Sequence, residues 1–99
     1  MRKLPPEIID RGFTYTQLKR NKYYALYSQT RIGFKEPWAW EVITIVNTKR
    51  DKTAWGNTFE AGEYYPASAD WGNRGWTYTT LAGAEERYAE LCAKPPKED

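Results

Sequence analysis

The sequence predicts an α+β fold: an antiparallel sheet of three to four strands, starting with a β-hairpin, and one C-terminal helix packed on one face. Three observations carry this expectation. Residues 12–31, GFTYTQLKRNKYYALYSQTR, alternate polar and bulky groups and are dense in Thr and Tyr, the pattern of half-buried strands. Residues 42–46, VITIV, form a β-branched run. Residues 81–93, LAGAEERYAELCA, place apolar groups at helical spacing, and one amphipathic helix buries such a stripe most economically against a sheet.

The elements follow in chain order. Residues 1–10 read as an N-terminal arm, 11–94 as a single α+β domain and 95–99 as a solvated tail. Within the hairpin, strands near 12–19 and 23–31 are separated by KRNK, where Asn21 tolerates a left-handed turn conformation. RIGFKEP is a loop by its Gly33 and Pro37, and WAWEVITIVNT follows as the expected central strand. Residues 49–58 are polar and turn-rich, and FEAGEYY, 59–65, reads as a short strand or an ordered loop before Pro66. GWTYT is the last strand, and Thr80 is placed to cap a helix over 81–93. On that helix Leu81, Ala84, Tyr88, Leu91 and Cys92 share one face, Glu85, Glu86, Arg87 and Glu90 face water, and Pro95 and Pro96 end it. Val42, Ile43, Ile45, Leu81, Ala84, Tyr88 and Leu91 are expected in one core. Trp71 and Trp76, flanked by Gly72 and Gly75, are expected to cover its open end. The string WGN stands at 55–57 and again at 71–73, but the residues after the two copies differ, so it marks no structural repeat.

Composition bounds the function. With 99 residues, 16% aromatic and 28% charged, the chain has enough bulky groups to bury one core. Its single cysteine, Cys92, can close no internal disulfide, and the start MRKLPPEIID lacks the apolar run of a signal peptide, so a cytoplasmic, membrane-free protein is expected. The sequence has no histidine, no GxxxxGK[ST] and no GxGxxG, which removes the commonest general base, metal ligand and phosphate cradles. No catalytic residue, metal or cofactor is expected, and Glu60 and Glu63 read as solvated loop charges. The expectation is a protein that is not an enzyme.

Charge is asymmetric. Residues 1–52 hold eleven Lys/Arg against five Asp/Glu, and residues 53–99 hold four against eight. From Arg11 to Lys35 six basic residues stand with no acidic one, interleaved with Phe13, Tyr15, Tyr23, Tyr24, Tyr27 and Phe34. Basic groups neutralise phosphates and aromatic faces stack on bases, so Lys19, Arg20, Lys22, Tyr23, Arg31 and Lys35 are candidate nucleic-acid contacts. The same residues, with Trp38 and Trp40, equally suit a protein interface rich in Tyr, Trp and Arg. Lysines on a sheet edge also serve simply to block aggregation. The helix-free face of the sheet, or the basic rim beside it, is the expected contact surface, and a second copy of the chain is a further candidate partner.

Two resemblances rest on these residues. The segments YYALYSQT, WEVITI and EYYPASADWGNRGWTYTTLAGAEERYAEL resemble a group of small proteins of unknown function from bacteriophages and other mobile elements, marked by Tyr65–Pro66, the Trp71–Gly72 turn and the aromatic strand Trp76–Tyr78. That resemblance implies a phage or prophage accessory protein, acting in the cytoplasm of a bacterial host cell, and supplies no activity; the function expected beside it is binding of a bacterial host protein, as an inhibitor in one form of the reading. The last third of the chain also resembles the WGR domain, a DNA-end-sensing module of poly(ADP-ribose) polymerases. Asn73 stands where that motif has arginine, and Arg74, one place later, is the residue to which the resemblance would assign the DNA contact.

Overall fold

A computed structural model describes residues 2–49, 52–54 and 57–94, with 52–54 and 57–59 described by their backbone. The main sheet is antiparallel, with order β1 (Glu7–Asp10), β2 (Phe13–Arg20), β3 (Tyr24–Arg31), β4 (Ala39–Thr44) and, as the far edge, β9 (Gly75–Tyr78). Between β4 and β9 the chain leaves the sheet through β5 (Val46–Thr48), which pairs with β8 (Gly62–Tyr64), while β6 (Lys52–Ala54) pairs with β7 (Asn57–Phe59). A short 3₁₀ turn, Ser68–Asp70, precedes β9, and α1 (Leu81–Ala93) ends the described fold. The proline stop at 95–96, the tail and the first two residues of the earlier WGN string lie outside the described residues.

The α+β architecture with one C-terminal helix on one face is therefore present, on five strands instead of three or four. The extra strand comes from residues 7–10, read as part of an arm. They pair with β2 from Glu7↔Thr16 to Asp10↔Phe13 across a two-residue turn in which Arg11 and Gly12 both take positive φ, 50° and 88°. Two-residue hairpins need that twist and normally recruit Asn, Asp or Gly at the first position, so an arginine there hides the turn. The strand expected to be central, β4, lies one place off centre, and β3 takes the middle. Asn21 does organise the β2–β3 turn, but by another route: its Oδ1 accepts from the backbone N–H groups of Tyr23 (2.8 Å) and Tyr24 (2.7 Å). That side-chain closure makes a left-handed backbone unnecessary.

Pleating divides the core in two. Leu26, Val42 and Ala84 are buried beneath α1, with Trp40, Tyr78, Tyr88 and Leu91 packed around them. Ala25, Tyr27, Ile43 and Ile45 are buried on the opposite face with Leu4. The single core expected from the sequence is corrected on both counts this implies. Ile43 and Ile45 point away from the helix, because successive strand residues face opposite sides. Leu81 stays 39% exposed, so of the apolar groups on that helix face Ala84, Tyr88 and Leu91 carry the packing. The Thr80 cap forms as expected, its Oγ1 accepting from Gly83 N–H at 3.1 Å.

The face away from α1 is not open. Residues 2–4 cross it and join β8: Arg2 N–H donates to Ala61 O, Glu63 N–H to Arg2 O, and Leu4 N–H to the Glu63 carboxylate, at 2.9, 2.9 and 3.0 Å. Tyr65 and Trp71 pack on the same cluster from the segment leading into β9. Gly75 is required there, since a Cβ would lie 2.4 Å from the Trp71 ring.

Candidate functional site

Three places on this frame concern function. The first is the hairpin that the sequence marks as basic. Its cations do not form one patch. Lys19, Arg20 and Lys22 lie at one end of β2–β3 and Arg31 and Lys35 at the other, since Arg20 pairs with Ala25 and Phe13 with Arg31. An eight-residue strand separates those ends by about 23 Å at the usual rise per residue. The register also shifts between Gln17 and Lys19, a bulge at Leu18. It sends Lys19 to the helix side and Arg20 to the other face, since a strand that gains one residue reverses its facing.

Each of these two then meets an acid. Lys19 Nζ lies 2.8 Å from Glu85 on α1, both side chains being largely solvated. Arg20 forms a fork on Glu63, Nη1–Oε1 2.7 Å and Nη2–Oε2 2.9 Å, with side-chain exposures of 28% and 10%. Glu63, read as a solvated loop charge, is in fact buried on β8. The Arg20 guanidinium is the main cause that holds its carboxyl at about 2, with the Leu4 N–H adding to it. Lys22 sits 5.5 Å above the Tyr23 ring, and Arg74 is exposed in the turn before β9, its backbone carbonyl accepting from Thr44 N–H.

The second place is the connection 32–38 between β3 and β4. Its ends are pinned by Ile32 N–H to Gly12 O (2.9 Å) and Trp38 N–H to Gln29 O (2.6 Å). Between them Ile32, Phe34 and Trp38 are 56%, 63% and 66% exposed. Arg31 lies 5.6 Å over the Phe34 ring, and Lys35 and Glu36 are solvated beside it.

The third place is a cleft of about 700 Å³ on the helix-free face. Ile8, Asp10, Arg11 and Tyr15 of the β1–β2 hairpin form one wall, and Tyr65, Pro66 and Trp71 form the other. Tyr65 stacks on Trp71 with ring centroids 6.3 Å apart and meets Tyr15 at 6.0 Å. Glu41 lines the bottom, 8% exposed. Its Oε1 accepts from the Tyr65 hydroxyl at 2.5 Å, and its Oε2 from the Thr77 hydroxyl at 3.4 Å, which in turn accepts from the Trp71 indole N–H at 3.0 Å. Among the described residues no basic group pairs with Glu41. Burial pushes its carboxyl above the usual carboxylate range, the two hydroxyl donors opposing this. Burial and the facing Glu41 raise the Tyr65 phenol, which stays protonated as the donor.

Sequence reading missed Glu41. The available signal was a lone acid inside AWEVITI, since a charge on an interior strand must find a partner or line a cavity. Among the described residues no group of three or more His, Cys, Asp or Glu could hold a metal ion, and no helix is long and apolar enough to cross a membrane. Compared with protein-family models, curated proteins and solved structures, the chain matches none.

Proposed function

We propose that the protein works by binding another protein, without catalysis of its own, through the 31–38 connection. The observation that carries this reading is the exposure of Ile32, Phe34 and Trp38 on one short connection whose ends are held by backbone hydrogen bonds. Covering three large apolar side chains that stand in water lowers the free energy, and aromatic residues with a neighbouring arginine are what binding hot spots are made of. Arg31 and Lys35 flank them and suit carboxylates on the partner's rim. The partner we propose is a protein of a bacterial host, the setting that the likeness to mobile-element proteins implies, and inhibition of that partner is one form the activity would take.

Of the basic residues expected at the contact surface, this reading uses Arg31 and Lys35 and not Lys19 or Arg20, because the Arg20 fork is already committed to Glu63 and Lys19 to Glu85. The test is affinity capture from nuclease-treated host lysate with the wild type and with Phe34→Ser/Trp38→Ser. A partner retained by the wild type and lost by the double variant, at equal melting temperature, is expected. Equal capture by both proteins overturns the reading. Steep salt-dependent binding of random oligonucleotides, unaffected by the double variant, would replace it with phosphate recognition.

A further inference from the structure

We propose that the cleft over Glu41 is a binding site for a guanidinium group, carried by a free guanidino compound or by an arginine side chain. The bottom of the cleft is Glu41, a residue more than nine-tenths buried whose carboxylate forms no ion pair among the described residues. A buried charge without a counter-charge is costly, and a fold retains one most readily where a ligand supplies the opposite sign. Among the described residues each Glu41 oxygen accepts a single bond, from Tyr65 or from Thr77. A carboxylate has about four acceptor positions in all, so room remains for a two-pronged donor.

The walls suit the same chemistry. Tyr15, Tyr65 and Trp71 present ring surface to the cleft, and guanidinium is the cation that both forks onto a carboxylate and stacks flat on aromatic faces. The charged groups that line the cleft besides Glu41 are Asp10 and Arg11 at its rim. Asp10 is 62% and Arg11 84% exposed, and they stand 3.9 Å apart, so they nearly cancel and leave the charge of Glu41 to dominate. The volume of about 700 Å³ accommodates a whole arginine side chain with its backbone, not only the head group. The pull of burial on Glu41 supports the same assignment, because a bound cation would reverse it. This inference is independent of the 31–38 connection, and either stands if the other fails.

The experiment is an NMR titration of the folded chain that follows the Trp71 indole N–H, assigned by its loss in Trp71→Phe. The probes are methylguanidinium, N-acetyl-arginine amide and the tripeptide Gly-Arg-Gly, with N-acetyl-citrulline amide as the uncharged isostere. Saturable shifts with the three cationic probes and none with citrulline are expected, and Glu41→Gln should weaken binding by roughly tenfold or more with its spectrum otherwise intact. A tighter site for the tripeptide than for methylguanidinium assigns the arginine side chain as the source, and the reverse order assigns a free compound. Absence of a saturable shift, equal binding of citrulline, or equal affinity in Glu41→Gln each overturns the proposal. Should Glu41→Gln fail to fold, titration of the wild type at a pH low enough to protonate Glu41 gives the same decision: affinity must fall as the carboxyl takes up its proton.

Discussion

The helix-free face has two halves, each built around a buried glutamate, and they solve the same electrostatic problem in opposite ways. Around Glu63 the chain closes over itself: Arg20 forks onto both oxygens, Leu4 N–H adds a third bond, and Arg2 lies 4.4 Å over the Tyr64 ring. Around Glu41 the donors are neutral hydroxyls, and the space above is a cleft. The two residues are about equally buried, at 7% and 8% exposure, so burial alone does not separate them. The counter-charge does. A carboxylate with its own guanidinium is finished structure, whereas one held by neutral hydroxyls beside open volume still has acceptor positions to offer.

Removing the counter-charge where it exists should break the comparison most visibly. Arg20→Ala leaves Glu63 buried and unpaired and is expected to cost about 2–4 kcal/mol. The loss should appear as a lower denaturant midpoint at pH 7, and it should shrink in acid. The Glu63 carboxyl is depressed to about 2 in the folded chain, so its stabilisation is fully present above the ordinary carboxylate value near 4.5 and is lost as pH falls from there toward 2. A cost below about 0.5 kcal/mol would place this fork with ordinary surface pairs.

Acting on the open half should do less and run the other way with pH. Glu41→Gln keeps an acceptor for the Tyr65 hydroxyl and removes a charge that burial disfavours, so its midpoint at pH 7 should stay within about 1 kcal/mol of the wild type, equal or higher. Because the folded carboxyl is raised, the wild type gives up this group's contribution as pH climbs from about 4.5 through the folded value. Glu41→Gln should lack that decline, and unfolding curves between pH 4 and 8 measure it. A steeper decline in the variant would mean that Glu41 is charge-stabilised after all.

How far the sequence shows this division depends on range. Local signals were clear: the Thr80 cap, the helix 81–93 and the strand periods in 12–31 are set by neighbours a few residues apart, and each formed. The long-range features were not. Arg20 reads as one of six cations in a basic hairpin, and only the Leu18 bulge and the distant β8 turn it inward to Glu63. Glu41 reads as a solitary acid in a strand, and the cleft above it needs Tyr65 and Trp71, brought back by the excursion through β5–β8. The first strand was hidden because its turn uses Arg11 where a positive φ favours Gly or Asn.

The smallest expected effect concerns the neighbour of Arg20. Lys19 and Arg20 are adjacent in sequence, both basic, and both paired with glutamate, yet the bulge sets them on opposite faces. The Lys19–Glu85 contact at 2.8 Å is as short as the Arg20 fork, but its side chains keep 50% and 40% of their exposure. Water and salt already screen such charges, and holding two long side chains in place costs entropy, so Lys19→Ala should shift stability by no more than about 0.5 kcal/mol. A double-mutant cycle on Lys19 and Glu85 should return a coupling that fades as salt is raised, while the same cycle on Arg20 and Glu63 should return a larger coupling that salt barely moves. Equal couplings with equal salt dependence would show that distance, not burial, sets the worth of both pairs, and the contrast drawn between the two halves of the face would lose its electrostatic basis.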